Sequence, residues 1–422
     1  MRRKRTLALL LAALLLTGCA QNADPTATAE PTPEPTALPT AEPSTEPPTE
    51  PPTEPPTEVP TEDPTALRVQ ALLSEMSVEE LVAQLFFVTP ETLTGSNTAV
   101  TAADEALSAG FTQYPVGGVI LMGYNLTEPE QTRALLSDLQ ALSLDRLGLP
   151  LLLGVDEEGG TVARISGTGR FGIDALPNMA DVDSPDYARE LGETVGAYLS
   201  DLGFNLDFAP VADVWTEPEN TVVRCRSFGS DPAQVTSLCA AFADGLQAQG
   251  VLACYKHFPG HGATAEDSHK GLAVSHRTRE ELLAAELLPF ADAALREIPL
   301  VMVGHILLPN VTDDGLPASL SGQAVNGLLR GELGYDGVVI TDALSMGAIT
   351  GTYGAGEAAV LAVLAGNDML LISSELPVCY EAVLAAVMDG TIPMQRLEEA
   401  VGRILRLKLT LPDGEADRTI PS

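Results

Sequence analysis

The sequence has few basic residues, and its cysteines show no paired spacing. Its 422 residues include 58 Asp and Glu but only 23 Lys and Arg, which gives a formal net charge of −35. Binding to a phosphate backbone needs dense Lys and Arg, so nucleic acid is not expected as a partner. Cys225, Cys239, Cys254 and Cys379 form no CxxC pair, which argues against a zinc ribbon or a redox motif. Cys254 lies in an apolar run, where we expect a buried thiol, and the sequence leaves one disulfide open.

The apolar N-terminus is too short for a membrane span. MRRKR gives a basic start, an apolar run follows, and residues 16–19 (LTGC) form a lipoprotein cleavage box. A span needs about 20 apolar residues, so this pattern predicts a removable export signal at residues 1–18 rather than an uncleaved anchor helix. Resemblance to bacterial lipoprotein signals implies a lipid on the Cys19 sulfur. We therefore expect an extracytoplasmic protein that is anchored to the membrane through this lipid.

Residues 19–65 lack the apolar side chains that a folded core requires. The segment is rich in Pro, Thr and Glu, has no basic residue, and repeats PPTE three times between Pro47 and Glu58. Burial of so little apolar surface cannot offset the entropy of ordering the chain, and proline keeps the backbone extended. The composition predicts a disordered stalk, with a catalytic domain at residues 66–414 and a short tail at 415–422.

Eight short apolar runs alternate with helical patterns after Leu67, which is typical of a parallel α/β sheet. Their number predicts a single (β/α)8 barrel of the TIM type, whose active site lies at the carboxyl ends of the strands. Polar residues close several runs: Asp156, Asp213, Lys256 with His257, His305, Asp342, and Ser373 with Ser374. The first run, LVAQLFFVT, is the weakest of the eight because it also fits a helix.

Two short patterns near the predicted site carry less weight. GTGRFG at residues 167–172 matches the GxGxxG dinucleotide pattern, but the IDALPNM that follows it does not predict the required helix. Ser268 lacks the GxSxG surroundings of a hydrolase nucleophile. We therefore reject a dinucleotide site and disfavour a serine hydrolase.

The stretch KHFPGHGATAEDSH, residues 256–269, contains three of the five histidines. A zinc site could use His257, His261 and His269, but Pro259 and two glycines prevent a helix from presenting the first two on one face. His261 fits best as a hydrogen-bond partner within the loop. Proton transfer is the remaining chemistry, because Asp267 can orient His269 from two residues away and raise the pKa of its imidazole.

These residues resemble glycoside hydrolase family 3, in its branch of bacterial β-N-acetylhexosaminidases. KHFPGHG and DSH look like the family signature, and GVDEEGGTVARI, FAPVADV, RSFGSDP, VVITDALSMGAI and AGNDMLLIS resemble family blocks in the family's order. Ala273 departs from the pattern, because the family commonly has a proline soon after DSH. β-Glucosidase relatives in the family usually carry a second α/β domain, and we expect a single domain here, since few residues follow the eighth run.

The resemblance implies specific catalytic roles. Asp342 would be the nucleophile, and His269 would be the acid/base, oriented by Asp267. Taken alone, Asp342 could equally cap a helix. Sugar binding would fall to Asp156, Arg164, Arg226, Lys256 and His257, although for each arginine alone a surface salt bridge is the alternative. Glu157, Glu158, Asp213 and His305 would support these residues.

The implied function is a retaining exo-β-N-acetylglucosaminidase that acts on terminal, non-reducing, β-linked N-acetylhexosamine, with peptidoglycan fragments as the expected source. No cofactor and no metal are expected. Phosphorolysis and a broader β-glycosidase activity remain open as alternatives. A metal-dependent hydrolase would lose activity to a chelator, and a non-catalytic sugar-binding lipoprotein would not turn over a chromogenic glycoside.

Overall fold

The computed structural model describes residues 63–264, 271–372 and 374–412. Several predictions therefore lie outside the described residues: the signal peptide, Cys19, almost all of the stalk, Asp267, Ser268, His269 and Ser373. The described residues belong to one compact unit, Thr61–Ser422. Its first described helix begins at Pro64, close to the predicted start of the catalytic domain, whose boundaries stay predictions.

Eight parallel strands form one barrel, and the prediction of a (β/α)8 architecture is confirmed. They are β1 Phe86–Val88, β2 Gly118–Ile120, β3 Leu152–Val155, β4 Leu206–Asp207, β5 Leu252–Phe258, β7 Leu300–Val303, β9 Val338–Thr341 and β10 Leu370–Ile372. From β1 to β9 each pairs with the next in this order, and β10 pairs with β1. A parallel bridge between Ile340 and Met369 completes the circle. Two further strands, β6 Ala273–Val274 and β8 Ile306–Leu307, pair only with each other.

Helices surround the barrel and connect its strands. They are α1 Pro64–Glu75, α2 Val78–Gln84, α3 Pro90–Thr94, α4 Glu105–Gln113, α5 Pro129–Leu147, α6 Pro185–Leu202, α7 Pro232–Ala248, α8 Arg279–Ala284, α9 Leu288–Leu295, α10 Gly347–Thr350, α11 Ala355–Ala365, α12 Leu376–Met388 and α13 Met394–Lys408. A π-helix covers Gln323–Glu332. Many of these helices begin with proline directly after a capping Asp, Ser or Thr, as at Ser184 and Asp231. This order suits the first turn, whose N–H groups have no partner within the helix.

Two segments that each looked like a single element in the sequence contain two elements in the structure. The ambiguous first run contains both structures, because residues up to Gln84 complete α2 and Phe86 then begins β1. Residues 278–297, whose apolar positions recur at helical spacing and so predict one helix, form two helices, α8 and α9. Pro289 explains the break, since it cannot donate to the carbonyl of Ala285 and its ring would collide with that carbonyl.

Aromatic side chains and glycines fill the barrel interior together. The rings of Phe87 on β1 and Phe208 after β4 meet edge to face, with 5.2 Å between their centres. A methyl group at Gly118 would lie 2.3 Å from the Phe87 ring, and one at Gly154 would lie 2.9 Å from the Phe208 ring. The two glycines therefore provide the space in which the rings pack.

The described cysteines are free thiols, with Cys225 exposed and Cys239, Cys254 and Cys379 buried. The prediction of a buried Cys254 is confirmed. Within the described ranges, no helix combines the length and the apolar character that crossing a bilayer requires.

Candidate active site

The barrel brings most of the predicted site residues to one end. Asp156 directly follows β3, Lys256 and His257 lie in the last three residues of β5, and Asp342 directly follows β9. Arg164 and Arg226 lie on the loops after β3 and β4. Because all eight barrel strands are parallel, these positions share the carboxyl end of the barrel, where catalytic residues of such folds lie.

Lys256 is the centre of a buried network of charges. Its Nζ lies 2.7 Å from Asp156 Oδ1 and 2.6 Å from Glu158 Oε1. Arg226 donates to both oxygens of Glu158, over 2.7 Å from Nε and 2.8 Å from Nη2. Glu158 is buried, so the alternative of a surface salt bridge is wrong for Arg226. The network fixes an ammonium and a guanidinium in position before any ligand arrives.

Mutual attraction keeps this network ionised despite its burial. Burial alone would raise the pKa of Glu158, but Lys256 and Arg226 outweigh it and hold that pKa far below its usual range. Burial alone would lower the pKa of Lys256, but Asp156 and Glu158 outweigh it and raise that pKa. Asp156 itself remains 20% exposed, and its Oδ2 lies 4.0 Å from Arg164 Nη2. The exposed edge of Asp156 is therefore available to a ligand.

Glu157 organises the loop that carries Arg164. Its buried carboxylate accepts from the backbone N–H groups of Arg164, Ile165 and Ser166 at 2.6, 3.0 and 2.8 Å. The hydroxyl of Tyr198, on α6, donates to the same carboxylate at 2.9 Å. The sequence pointed to a supporting role for Glu157, but it contained no signal for Tyr198, which lies 41 residues further along the chain.

Asp213 orients His257 and the turn that follows it. Its carboxylate lies 2.8 Å from His257 Nδ1 and accepts from the backbone N–H groups of His257 and His261 at 3.2 and 2.6 Å. Burial alone would raise the pKa of Asp213, but the two histidines outweigh it and lower that pKa. His261 is itself buried, and its Nδ1 lies 2.8 Å from the Thr264 hydroxyl within the same turn. This matches the loop role expected for His261.

Asp342 is not a helix cap. Its Oδ1 accepts from the backbone N–H of Ala343 at 2.7 Å, and the next helix, α10, begins only at Gly347. Burial raises the pKa of the Asp342 carboxyl, but His257, His305 and Lys256, together with the Ala343 N–H, outweigh burial and lower the pKa below its usual range. His305 donates from Nε2 to the carbonyl of Ala343 at 3.0 Å, so it also braces the backbone beside Asp342. The result is a carboxylate held ionised at a strand end.

The predicted acid/base pair, Asp267 and His269, lies outside the described residues, and its role stays a prediction. The chain re-enters the described part at Gly271, and Ala273, the departure from the family pattern, is buried in β6. Across residues 63–264, 271–372 and 374–412, no group of three or more His, Cys, Asp or Glu side chains could hold a metal ion. His269 and Asp267 lie outside these ranges.

Comparisons with known proteins identify the family of this chain. A family model described as the glycosyl hydrolase family 3 N-terminal domain matches residues 77–407. Beta-hexosaminidase LpqI of Mycobacterium tuberculosis is 40% identical over 272 residues, which cover 62% of this chain and 68% of that protein. Beta-hexosaminidase A of Pseudoalteromonas piscicida is 34% identical over 354 residues, which cover 76% of this chain and 58% of that protein.

A solved structure with the same fold supports the same family. The structure of a glycoside hydrolase family 3 beta-N-acetylglucosaminidase from Paenibacillus sp. str. FPU-7 superposes with a TM-score of 0.75 and 38% sequence identity. The match covers 82% of this chain and 65% of that one, so the chain spans less than two thirds of this relative and of the Pseudoalteromonas protein. The family match, the barrel and the strand-end residues together show that this chain belongs to glycosyl hydrolase family 3.

Proposed function

We propose that the protein is a retaining exo-β-N-acetylglucosaminidase that hydrolyses terminal, non-reducing, β-linked N-acetylglucosamine, with peptidoglycan fragments as its natural source. In the first step, the Asp342 carboxylate attacks the anomeric carbon while His269 donates a proton to the departing glycosidic oxygen. In the second step, His269 takes a proton from water, which attacks the same carbon and releases Asp342. Two inversions give retention of configuration.

The observation that carries the proposal is the state of Asp342. A nucleophilic carboxylate must be ionised, and His257, His305 and Lys256, with the Ala343 N–H, lower the pKa of Asp342 in spite of its burial. Within the described part of the chain, Oδ1 of Asp342 accepts from the Ala343 N–H, which holds the carboxylate in position at the barrel end.

The charged network supplies the sugar contacts. Asp156, Lys256 and Arg226 present fixed acceptors and donors, which suit the hydroxyls and the N-acetyl carbonyl of an amino sugar. Asp213 holds His257 through Nδ1, and Nε2 of His257 makes no hydrogen bond to the described residues, so that nitrogen is suited to a sugar hydroxyl. The names of the relatives, beta-hexosaminidase and beta-N-acetylglucosaminidase, support hydrolysis of N-acetylhexosaminides over phosphorolysis.

The test is turnover of p-nitrophenyl β-N-acetylglucosaminide and the matching β-glucoside, each with and without phosphate. We expect the N-acetylglucosaminide to be hydrolysed in preference, with no dependence on phosphate and with retained configuration of the first product. Production of a sugar 1-phosphate would instead assign a phosphorylase, and loss of activity to a chelator would assign a metal-dependent enzyme. Failure to turn over either glycoside would favour a non-catalytic sugar-binding protein.

The export signal and Cys19 support a lipid-anchored, extracytoplasmic location, which brings the enzyme to the cell wall. Cys19→Ala should release the protein from the membrane fraction or leave it mislocalised, while turnover of the aryl glycoside stays unchanged. Membrane retention of the variant at the level of the native protein would contradict the lipid anchor.

A further inference from the structure

The glycine-rich loop at residues 167–172 has the letters of a dinucleotide motif but not its helix. It carries Arg170, which has no ion-pair partner among the described residues, to the rim of the site. Gly167, Gly169 and Gly172 all adopt positive φ, at 69°, 72° and 68°, which allows the chain to fold back on itself. Arg170 in this loop is exposed. Within the described part of the chain it forms no ion pair, although the protein as a whole is strongly acidic.

The guanidinium of Arg170 is held at one end only. Its Nη1 donates to the carbonyls of Gly123, at 3.1 Å, and Leu126, both on the loop after β2. These contacts account for both N–H groups of Nη1. Its Nε and Nη2 have no hydrogen bond to described residues. This second edge is a planar fork of the shape that binds a carboxylate through two parallel hydrogen bonds.

The loop that holds Arg170 is itself fixed. The buried side chain of Asn125 accepts from the Met122 N–H at 2.8 Å, and it donates to Glu91 at 2.6 Å and to the Val100 carbonyl at 2.9 Å. Since this loop does not need to rearrange, the free edge of Arg170 is organised before a ligand binds. Little conformational entropy is then lost on binding.

Arg170 also lies beside the sugar site. Gly123 lies next to both arginines, because its carbonyl accepts from Arg170 and a methyl group on it would lie 3.4 Å from Arg164 Cδ. Arg164 in turn approaches Asp156, with 4.0 Å between Nη2 and Oδ2. The terminal sugar of an exo-acting enzyme is enclosed at the base of the site, and the leaving group must extend over the exposed rim. Arg170 lies on that rim, and Tyr124, which follows Gly123 in the chain, is 52% exposed.

We propose that the free Nε–Nη2 edge of Arg170 binds a carboxylate on the leaving group, so that the enzyme prefers anionic aglycones over neutral ones. This inference rests on the proposed function, because it assigns Arg170 to the same reaction. It adds a specificity residue that the strand-end pattern did not indicate.

The experiment compares two disaccharides that differ only in charge. Both carry N-acetylglucosamine β-linked to N-acetylmuramic acid, one with the free lactyl carboxylate and the other with the lactyl amide. The native full-length protein should show a higher kcat/KM for the acid. Hydrogen bonds to a charged group predict that Arg170→Gln lowers kcat/KM for the acid by roughly 10- to 100-fold and changes it for the amide by less than about 3-fold.

Two further variants separate recognition from loop structure. Arg170→Lys keeps the positive charge and can still donate to the Gly123 and Leu126 carbonyls, but it lacks the fork, so it should lose most of the preference for the acid while leaving the amide unaffected. Arg68→Gln removes an exposed, unpaired arginine from α1 and should change neither substrate.

Equal kcat/KM for acid and amide in the native protein would overturn the inference, and so would an equal loss on both substrates in Arg170→Lys. Arg170 would then only clamp the two loops, and the proposed function would stand. Absence of turnover of both disaccharides and of the aryl N-acetylglucosaminide by the native protein would overturn the proposed function itself.

Discussion

Lys408 near the end of α13 should make the stability of this protein depend on pH, so that replacing it stabilises the fold at low pH and destabilises it at high pH. The side chain is fully buried, and its Nζ donates to Gln84 Oε1 at 2.8 Å. Gln84 in turn donates to the carbonyl of Pro115 at 2.7 Å. No carboxylate pairs with Lys408 among the described residues. Burial therefore lowers the pKa of its ammonium from 10.5 to about 7.

The sign follows from the two pKa values. Since the folded pKa lies below the unfolded one, the unfolded chain binds more protons between pH 7 and 10.5, and stability rises with pH in that window. Below pH 7 the lysine is charged in both the folded and the unfolded protein, so burial of the charge destabilises the fold to its full extent. A shift from 10.5 to about 7 corresponds to roughly 5 kcal/mol at about 1.36 kcal/mol per pKa unit.

Lys408→Met removes this cost and leaves Gln84 Oε1 without its donor, which costs about 1 to 3 kcal/mol. The variant should thus be more stable than the native protein by about 2 to 4 kcal/mol at pH 6. Above pH 10.5, where the native lysine is neutral, it should be less stable by about 1 to 3 kcal/mol.

Chemical denaturation at pH 6 and above pH 10.5 measures both ends of this range. Arg406→Met is the matched control, because it removes an exposed cation from the same end of α13. Its effect should stay within about 1 kcal/mol and should not change sign with pH. A Lys408→Met variant that is less stable than the native protein at pH 6 would refute the reasoning and indicate that the buried ammonium has a compensating partner.

The remaining predictions concern the reaction and the thiols. Asp342→Ala should abolish nearly all turnover yet retain product binding, and a slow fluorinated substrate should label Asp342 in the native enzyme; mass spectrometry that finds the label on another carboxylate would reassign the nucleophile. His269→Ala should slow natural disaccharides about 10²- to 10⁴-fold more than aryl glycosides with acidic phenols, because a good leaving group needs no proton, and Asp267→Asn should do the same more mildly. Equal slowing of both substrate classes would remove His269 from the acid role. Among the four described cysteines, only Cys225 should react with a maleimide in the folded protein, since the other three thiols are buried; labelling of Cys239 or Cys254 before unfolding would contradict the packing.

The sequence predicted the barrel and most of the candidate site because both depend on local patterns. A strand buried on both faces must be a short apolar run, and a residue that directly follows a parallel strand must lie at the carboxyl end of the barrel. Asp156, Lys256, His257 and Asp342 could therefore be placed at one end before any coordinates were known.

Only the tertiary structure decided which side chains contact one another. The hydrogen bond from Tyr198 to Glu157 and the pairing of Arg226 with Glu158 join residues 41 and 68 positions apart. The contact of Arg170 with Gly123 spans 47 positions, and that of Lys408 with Gln84 spans 324. No local period encodes such distances, because they follow from how the barrel closes and how its loops pack. Only the structure could show that Asp342 is not a helix cap. The sequence determines that an Asp directly follows β9, but the backbone path determines its hydrogen-bond partner and where the next helix begins.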